Sequence, residues 1–242
     1  MPQRIDAKAT RIPMTGKAAN YPEIILSQTD GREEVMTQSQ VEKIEPWRER
    51  WLVGQTGWDQ GGPHSQLDRL LRHATQEGRL PAGARIFSAG CGRAHNEAWL
   101  AGQGYRVDAV DAVPEAIEGA RALYGQVAGL NLQVSDVFAA VEPEPAYDAV
   151  FDRAMLCAIE PRHRPTYIQA IHHKLKSDAL VLAILFRRTR TPEGPPFAVN
   201  EEEAQRLLAE HFDLVHASLC PPPENPRNVL EEWLCIWRKR RP

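Results

Sequence analysis

Two short segments carry residue types that could do chemistry. Residues 86–92 read Ile-Phe-Ser-Ala-Gly-Cys-Gly, an apolar run that ends in closely spaced glycines. Glycines permit a tight turn that other residues resist, and a helix that opens directly after such a turn presents free backbone N–H groups to a ligand. Farther along, residues 150–153 read Val-Phe-Asp-Arg and place a carboxylate and a guanidinium after another apolar run. The glycine segment alone predicts only that something nucleotide-like binds.

An acid at the end of the next apolar run makes this prediction more specific. Asp111 closes residues 106–111, which read Arg-Val-Asp-Ala-Val-Asp. It follows the glycines by about 20 residues, the spacing at which a carboxylate can accept both hydroxyls of a ribose. The two signals together make a nucleoside site the leading hypothesis.

The sequence distinguishes between two adenosine cofactors. A dinucleotide-binding loop reads G-x-G-x-x-G, whereas residues 90–95 read Gly-Cys-Gly-Arg-Ala-His and end on His95. A site for S-adenosylmethionine needs the tight turn, the ribose acid and a polar group after the third strand. Asp136 and Val137 supply that third part, although Asp136 could equally be an ordinary helix N-cap. A nicotinamide-dependent oxidoreductase and a non-catalytic cofactor-binding module stay as alternatives from other classes.

The elements that must position these residues alternate along the chain. Short apolar runs predict strands over residues 85–89, 106–111, 131–135, 147–151 and 179–186, and helical patterns predict helices over 94–103, 114–124 and 164–176. This alternation is typical of a parallel sheet with helices on both faces. Two β-like runs, 211–219 and 230–237, predict a closing antiparallel hairpin. We therefore expect an α/β, Rossmann-like domain with a mostly parallel seven-stranded sheet.

The N-terminal part has a different character. Residues 1–40 are polar and aperiodic, which predicts a flexible lead-in and leaves residues 41–242 as the folded domain. Pro46 suits the first turn of a helix, in which Trp47 and Trp51 would share one face.

Composition sets outer limits on the function. The chain has 242 residues, of which 43% are hydrophobic and 25% charged, enough for one well-buried α/β domain. The formal net charge is -3 and basic residues cluster only near the end, so we predict no nucleic-acid partner. No apolar run approaches the ~20 residues that span a bilayer, and the first residues lack a secretory signal, so we predict no membrane association and a cytoplasmic location. The four cysteines lack C-x-x-C spacing, which predicts reduced thiols and no metal.

Four ordered blocks carry a family resemblance. Residues 47–61 fit Trp-x3-Trp-x2-Gly-x-Thr-x-Trp-Asp-Gln-Gly, and residues 89–92 read Ala-Gly-Cys-Gly. Residues 151–164 fit Phe-Asp-Arg-x3-Cys-Ala-Ile-x-Pro-x2-Arg, and residues 194–197 read Gly-Pro-Pro-Phe. Together they resemble the thiopurine S-methyltransferase family, which includes the plant and bacterial halide and thiol methyltransferases. The resemblance implies a class I methyltransferase fold, S-adenosyl-L-methionine as cofactor, and a small-molecule methyl acceptor.

The resemblance also implies roles for individual residues. The tryptophans of the first helix would form a lid over the cofactor, and the carboxylates would hold its ribose and frame its adenine. The implied cofactor-binding set is Trp47, Trp51, Gly90, Cys91, Gly92, Asp111, Asp136, Val137 and Arg153. The implied acceptor-side set is Trp58, Cys157 and Phe197.

Arg153 is the implied catalytic residue. Its guanidinium could ease deprotonation of a thiol by stabilising the thiolate, whereas a structural ion pair with Asp152 or a neighbouring acid is its alternative role. We predict a monomeric enzyme that methylates a small thiol or related soft nucleophile. Halide methylation is the alternative, because the short spacing between Tyr124 and Asn131 resembles the compact halide and thiol enzymes.

Overall fold

Strands and helices alternate through the middle of the chain, as its hydrophobic periodicity requires. The computed structural model describes residues 25–29, 32–35, 38–138, 145–222 and 229–241. The strands are β1 (Ile25–Thr29), β2 (Arg32–Val35), β3 (Arg85–Ala89), β4 (Arg106–Asp111), β5 (Leu130–Val134), β6 (Tyr147–Arg153), β7 (Leu175–Thr189), β8 (Phe212–Leu219) and β9 (Val229–Lys239). The helices are α1 (Gln38–Leu52), α2 (Leu67–Gln76), α3 (His95–Gly102), α4 (Pro114–Tyr124), α5 (Met155–Ala158), α6 (Arg164–Lys174) and α7 (Glu201–Leu208).

Seven strands form one sheet in the order β5-β4-β3-β6-β7-β9-β8. Strands β3 to β7 run parallel, and β9 pairs antiparallel with both β7 and β8. This confirms the predicted mostly parallel, Rossmann-like sheet and its closing antiparallel hairpin. The chain winds outward from β3 to β5 and then returns to β6 on the other side of β3. The strand order therefore reverses between β3 and β6, and ligands of such sheets bind outside the strand ends at that point.

Each face of the sheet has its own hydrophobic core. Ile86 and Phe87 are neighbours on β3 and belong to opposite cores, as the alternation of side chains along a strand requires. One core includes Tyr167 and Ile171 of α6, and the other includes Leu70 of α2. Helices on both faces thus hold the strand ends in fixed positions.

The N-terminal elements differ from expectation. The helix predicted to start at Pro46 begins at Gln38, and Pro46 lies inside it. The prediction of that start is wrong because the preceding residues include good helix formers, whose propensity extends the helix through the proline. The antiparallel β1–β2 pair lies within the interval where the sequence predicts a flexible lead-in, and residues 1–24 lie outside the described residues.

Three smaller observations bear on the sequence-based expectations. No helix in the described part of the chain is both long and apolar enough to cross a membrane. The four cysteines are free thiols. Strand β7 is longer than predicted, since it starts at Leu175 directly after α6 and continues to Thr189.

Candidate active site

A glycine turn follows β3 at the point where the strand order reverses. Gly90 and Gly92 have left-handed backbone angles, with φ of +64° and +56°. A Cβ on Gly90 would come within 2.5 Å of Met155 Sδ, and one on Gly92 would lie 3.5 Å from the Trp51 ring. Both positions therefore favour glycine for its backbone angle, and a Cβ on Gly90 would also displace the Met155 side chain. Cys91 lies between them, half-buried, and burial raises the pKa of its thiol.

Asp111 ends β4 beside this turn. Its Oδ2 accepts a hydrogen bond from the Gly92 N–H at 2.9 Å, and its Oδ1 accepts one from the Val113 N–H at 2.9 Å. Burial raises the pKa of the carboxyl, against the lowering effect of these two bonds. Each carboxylate oxygen has a second acceptor site, so the group can still receive two hydroxyls.

The segment after β5 brings Asp136 and Val137 to the same edge of the sheet. Both side chains are buried, and Asp136 Oδ1 accepts a hydrogen bond from the Phe138 N–H at 3.0 Å. This bond to the second following residue is typical of an Asx turn. Residues 137–138 form a turn, and residues 139–144, where a helix capped by Asp136 would continue, lie outside the described residues.

Three tryptophans cluster over the glycine turn. Trp47 and Trp51 of α1 each make an edge-to-face contact with Trp58, at centroid distances of 5.4 and 6.0 Å. The Arg93 guanidinium lies over the Trp51 ring at 5.2 Å. An ion pair of 2.9 Å between Arg48 and Glu115 joins α1 to α4. The first helix is therefore fastened above the turn that the sequence predicts for the cofactor.

Asp59, Arg93 and His95, which we call the lid latch, connect the tryptophan segment to the glycine turn. Asp59 Oδ1 lies 2.9 Å from His95 Nε2, and its Oδ2 accepts a hydrogen bond from Arg93 Nη1. His95 Nδ1 lies 2.7 Å from the Tyr124 hydroxyl on α4. Burial raises the pKa of Asp59, but hydrogen bonds from Gly61 and Arg93 outweigh it and the net pKa is lowered. The latch thus holds an ionised carboxylate between two cationic or hydrogen-bonding side chains.

A buried charge network lies on the β6 side of the point where the strand order reverses. It consists of Arg153, Glu232 and His64. Arg153 Nη2 donates to Glu232 Oε1 at 2.8 Å, and Glu232 Oε2 lies 2.9 Å from His64 Nε2. The three side chains are only 13%, 5% and 6% exposed, in that order. The Arg153 guanidinium also packs over the Phe186 ring at 4.9 Å. The network therefore fixes a positive group at the carboxyl end of β6.

Asp152 is not the partner of Arg153. Neighbouring residues on a strand point to opposite faces, and Asp152 faces α5 and α6. It accepts hydrogen bonds from the Tyr167 hydroxyl at 2.9 Å and from the backbone N–H groups of Met155 and Leu156. Burial raises the pKa of Asp152 to about 6, against those bonds. The ion pair with Asp152 that the sequence allows is replaced by the pair with Glu232.

The predicted acceptor-side residues occupy different environments. Trp58 is 38% exposed and Phe197 is half-buried, its backbone N–H bonded to the Cys157 carbonyl at 2.8 Å. Cys157 is fully buried, and its Sγ accepts the Phe186 N–H at 3.3 Å. Burial raises the pKa of this thiol to about 12. The Cys157 side chain belongs to the hydrophobic core, and its contact with an acceptor stays a prediction.

Comparison with known proteins decides the family. Residues 42–225 match the model of the family described as thiopurine S-methyltransferase. The chain belongs to the thiopurine S-methyltransferase family. Membership makes it an S-adenosyl-L-methionine-dependent methyltransferase, which confirms the predicted enzyme class and cofactor and rules out the oxidoreductase alternative.

Individual relatives cover most of the chain. Thiopurine S-methyltransferase of Pseudomonas putida (strain W619) is 31% identical over 67% of this chain and 81% of its own length. Thiocyanate methyltransferase 1 of Brassica oleracea is 30% identical over 80% of this chain and 84% of its own length. Among solved structures, 1,6-didemethyltoxoflavin-N1-methyltransferase of Burkholderia thailandensis, with bound S-adenosylhomocysteine, superimposes with a TM-score of 0.65 at 22% identity, over 84% of this chain and 89% of its own. This likeness confirms the class I methyltransferase fold.

The candidate site includes several residues that sequence reasoning missed. They are Asp59 and Arg93 of the lid latch, His64 and Glu232 of the buried charge network, and Glu97 of α3. Glu97 Oε1 accepts a hydrogen bond from the Ser88 hydroxyl at 2.7 Å, and burial raises its pKa to about 7. One sequence signal could have revealed Glu232, because a charged residue inside an apolar run is unusual. Residues 229–237 show this pattern.

The residues present fit the cofactor. The glycine turn leaves backbone free of side chains, and Asp111 offers two acceptor oxygens at the end of the neighbouring strand. A ribose diol donates two hydrogen bonds, which is the demand that this carboxylate can meet.

Proposed function

We propose that this enzyme transfers the methyl group of S-adenosylmethionine to a small thiol or a related soft nucleophile. When bound, the cofactor supplies a methyl group on a cationic sulfonium that is already activated for displacement. The chain's own residues then have to align the acceptor and stabilise it as an anion. The observation that carries the proposal is Arg153, a guanidinium fixed beside Phe186 by Glu232.

The charge at Arg153 suits a thiolate. A free thiol has a pKa near 8.5, so at neutral pH only a small share is ionised, and the thiolate is the nucleophile. A nearby guanidinium favours the ionised form. A guanidinium has five N–H donors, so a bond to Glu232 leaves others that can contact an acceptor.

Phe186 adds apolar surface beside this cation. Phe186 lies under the Arg153 guanidinium, and Phe197 is hydrogen-bonded through its backbone to the neighbouring Cys157. A soft acceptor with an apolar body and an anionic sulfur matches this combination of an aromatic wall and one positive group.

Methylation of a small anion is the second candidate. The Brassica relative is named for thiocyanate, and a halide or thiocyanate arrives already charged. Such an acceptor needs the same cation at Arg153 but no deprotonation step. Turnover of a halide should therefore not increase as the pH rises through about 8.5, the pKa of a free thiol, whereas turnover of a thiol should.

A methyl-acceptor screen tests the proposal. The purified enzyme is incubated with S-adenosylmethionine and an aryl thiol, hydrogen sulfide, a thiopurine, iodide or thiocyanate, and S-adenosylhomocysteine is quantified. We expect turnover of at least one thiol. Tight binding of S-adenosylhomocysteine with no turnover of any thiol, thiocyanate or halide would overturn the proposal.

Arg153→Gln tests the residue that carries the argument. Loss of a charge-stabilising donor costs about 10²–10³ in turnover in comparable sites, so kcat/KM for the thiol should fall by about 100-fold. Affinity for S-adenosylhomocysteine should change much less. Arg188→Gln is the matched control, since Arg188 on β7 makes an exposed ion pair with Glu231 and should leave kcat/KM unchanged.

The remaining sequence-based expectations are part of the proposal. A cytoplasmic location is tested by cell fractionation, and a monomer without nucleic-acid affinity by light scattering and a DNA-binding assay. A flexible lead-in over residues 1–40 predicts early cleavage there in limited proteolysis, with residues 41–242 protected.

A further inference from the structure

Two histidines and a glutamate meet where α2 packs near β8, outside the methyltransferase site. His73 and Glu77 are one helical turn apart, and His216 comes from β8. His73 Nδ1 lies 2.5 Å from Glu77 Oε1, and His216 Nδ1 lies 3.0 Å from Glu77 Oε2. The two imidazole rings stack with centroids 3.7 Å apart. One nitrogen or oxygen from each residue lies within 4.8 Å of the others, and within the described ranges no other such group occurs.

Neighbouring contacts hold the three side chains in this arrangement. The β8–β9 register shifts between Leu214 and His216, and such an irregularity re-aims the side chain that follows it. The Ser218 hydroxyl lies 2.9 Å from His216 Nε2, so the other ring nitrogen is directed at Glu77. Arg238 Nη2 donates to the Glu77 carbonyl at 3.2 Å and the Gly78 carbonyl at 3.0 Å, which fastens the end of α2 to β9.

The donor set matches one class of ion. Two imidazole nitrogens and one carboxylate oxygen are ligands that zinc takes in tetrahedral sites, with water in the fourth position. A metal-binding histidine usually has its other ring nitrogen held by a second group, as Ser218 holds His216.

We propose that His73, Glu77 and His216 form a binding site for a divalent transition-metal ion of the Zn²⁺ type that bridges α2 and β8. The prediction of no metal came from cysteine spacing, which does not report on a site made of histidines and a glutamate. Local sequence spacing also gives no signal for it, because His216 is 139 residues from Glu77. A bridging ion ties the edge strand of the sheet to a helix. Because the ion binds the folded chain, it stabilises that state by mass action.

Zinc titration of the tag-free, chelator-stripped protein tests the site. A chromophoric chelator competes for Zn²⁺, and thermal melting is followed in parallel. We expect one equivalent of Zn²⁺ per chain with micromolar or tighter affinity, and a rise of about 3 °C in Tm at saturation. Methyl transfer should be the same with and without Zn²⁺, so failure of this site and failure of the acceptor proposal are separate results.

Variants decide whether the bound ion lies at this cluster. His216→Ala and Glu77→Gln should each weaken Zn²⁺ binding at least tenfold, and Glu77→Gln keeps the side-chain shape if the alanine variant folds poorly. His173→Ala removes an exposed histidine of α6 and should bind Zn²⁺ as the wild type does. No stoichiometric binding by the wild type, or binding unchanged in both cluster variants, would overturn the proposal.

Discussion

Two buried glutamates lie beside the two halves of the site, and the protein treats their charges in opposite ways. Glu232 on the acceptor side has a pKa that burial raises, but the hydrogen bond to His64 and the charge of Arg153 outweigh burial and lower it overall. Glu97 beside the glycine turn accepts a side-chain hydrogen bond from Ser88, and burial raises its pKa to about 7. Burial alone therefore does not set ionisation, because the neighbouring charges decide its sign.

This difference matches the needs of the two halves. On the proposed acceptor side, an ionised Glu232 keeps the Arg153 guanidinium fixed and paired. Near the cofactor, Asp111 already carries the acceptor oxygens, and a second anion at Glu97 would raise the pKa of Asp111 further by repulsion. Keeping Glu97 partly protonated at neutral pH limits that repulsion.

The largest expected effect is that of Glu232→Ala on stability. The substitution leaves the buried Arg153 guanidinium without its partner, and breaking a buried pair in this way costs about 3–5 kcal/mol. Urea unfolding at neutral pH measures the free energy of unfolding. We also expect slower methyl transfer, because Arg153 loses the bond that positions it.

Glu231→Ala is the matched control on the same strand. Glu231 pairs with Arg187 and Arg188 at the surface, and exposed pairs of this kind contribute little. The free energy of unfolding of Glu231→Ala should fall by only a small fraction of the decrease in Glu232→Ala. Equal losses in the two variants would show that burial of the network is not what distinguishes it.

The next effect concerns pH and Glu97. An unfolded glutamate has a pKa near 4.3, whereas the folded value is about 7. A raised folded-state pKa gives stabilisation that is present below pH ~4 and is lost as pH rises through about 7. Glutamine has no proton to lose, so the free energy of unfolding of Glu97→Gln should not show this loss. The difference in free energy of unfolding, variant minus wild type, should therefore increase from pH 5 to pH 8, by at most about 3 kcal/mol.

Urea unfolding of both proteins at the two pH values measures this difference. Glu118→Gln on the exposed face of α4 serves as the control, and its offset from the wild type should be the same at pH 5 and pH 8. If Glu97→Gln behaves like Glu118→Gln, Glu97 is ionised in the folded protein and the contrast with Glu232 fails.

Local patterns predicted the parts of the fold that depend on local sequence. Strands β3 and β4 have the predicted bounds, because an apolar run between turn residues is a property of a few adjacent positions. Gly90, Asp111 and Arg153 all end or directly follow strands, and the carboxyl ends of parallel strands meet at one edge of a sheet. The position of these three residues at one edge of the sheet was therefore predictable from sequence.

The partners of those residues could not be predicted in the same way. Arg153 and Glu232 are 79 residues apart, and His95 and Asp59 are 36 apart. The pair with Glu232 depends on insertion of β9 between β7 and β8, which no adjacent residues encode. Pro46 misled the prediction of α1 for a related reason, since a single residue was given more weight than the helix formers before it.

The smallest of the three effects is expected at the lid latch. Asp59→Asn removes the charge that binds Arg93 and His95, while an asparagine oxygen can still accept the Gly61 N–H bond that Asp59 makes at 2.9 Å. If the latch holds the tryptophan segment closed over the cofactor, a lower closed population weakens the apparent affinity by the same factor. We expect about tenfold weaker binding of S-adenosylhomocysteine by calorimetry, equal to about 1.4 kcal/mol.

Asp68→Asn removes an exposed carboxylate that pairs with Arg72 on α2, and it should bind S-adenosylhomocysteine as the wild type does. The latch variant should also melt close to the wild type, because Arg93 is 40% exposed and can be solvated when its partner is lost. Arg153, by contrast, is only 13% exposed and has much less access to water. Asp59→Asn could instead bind S-adenosylhomocysteine with unchanged affinity and lose much of its free energy of unfolding. That result would show that Asp59, like Glu232, stabilises the fold and does not support cofactor binding.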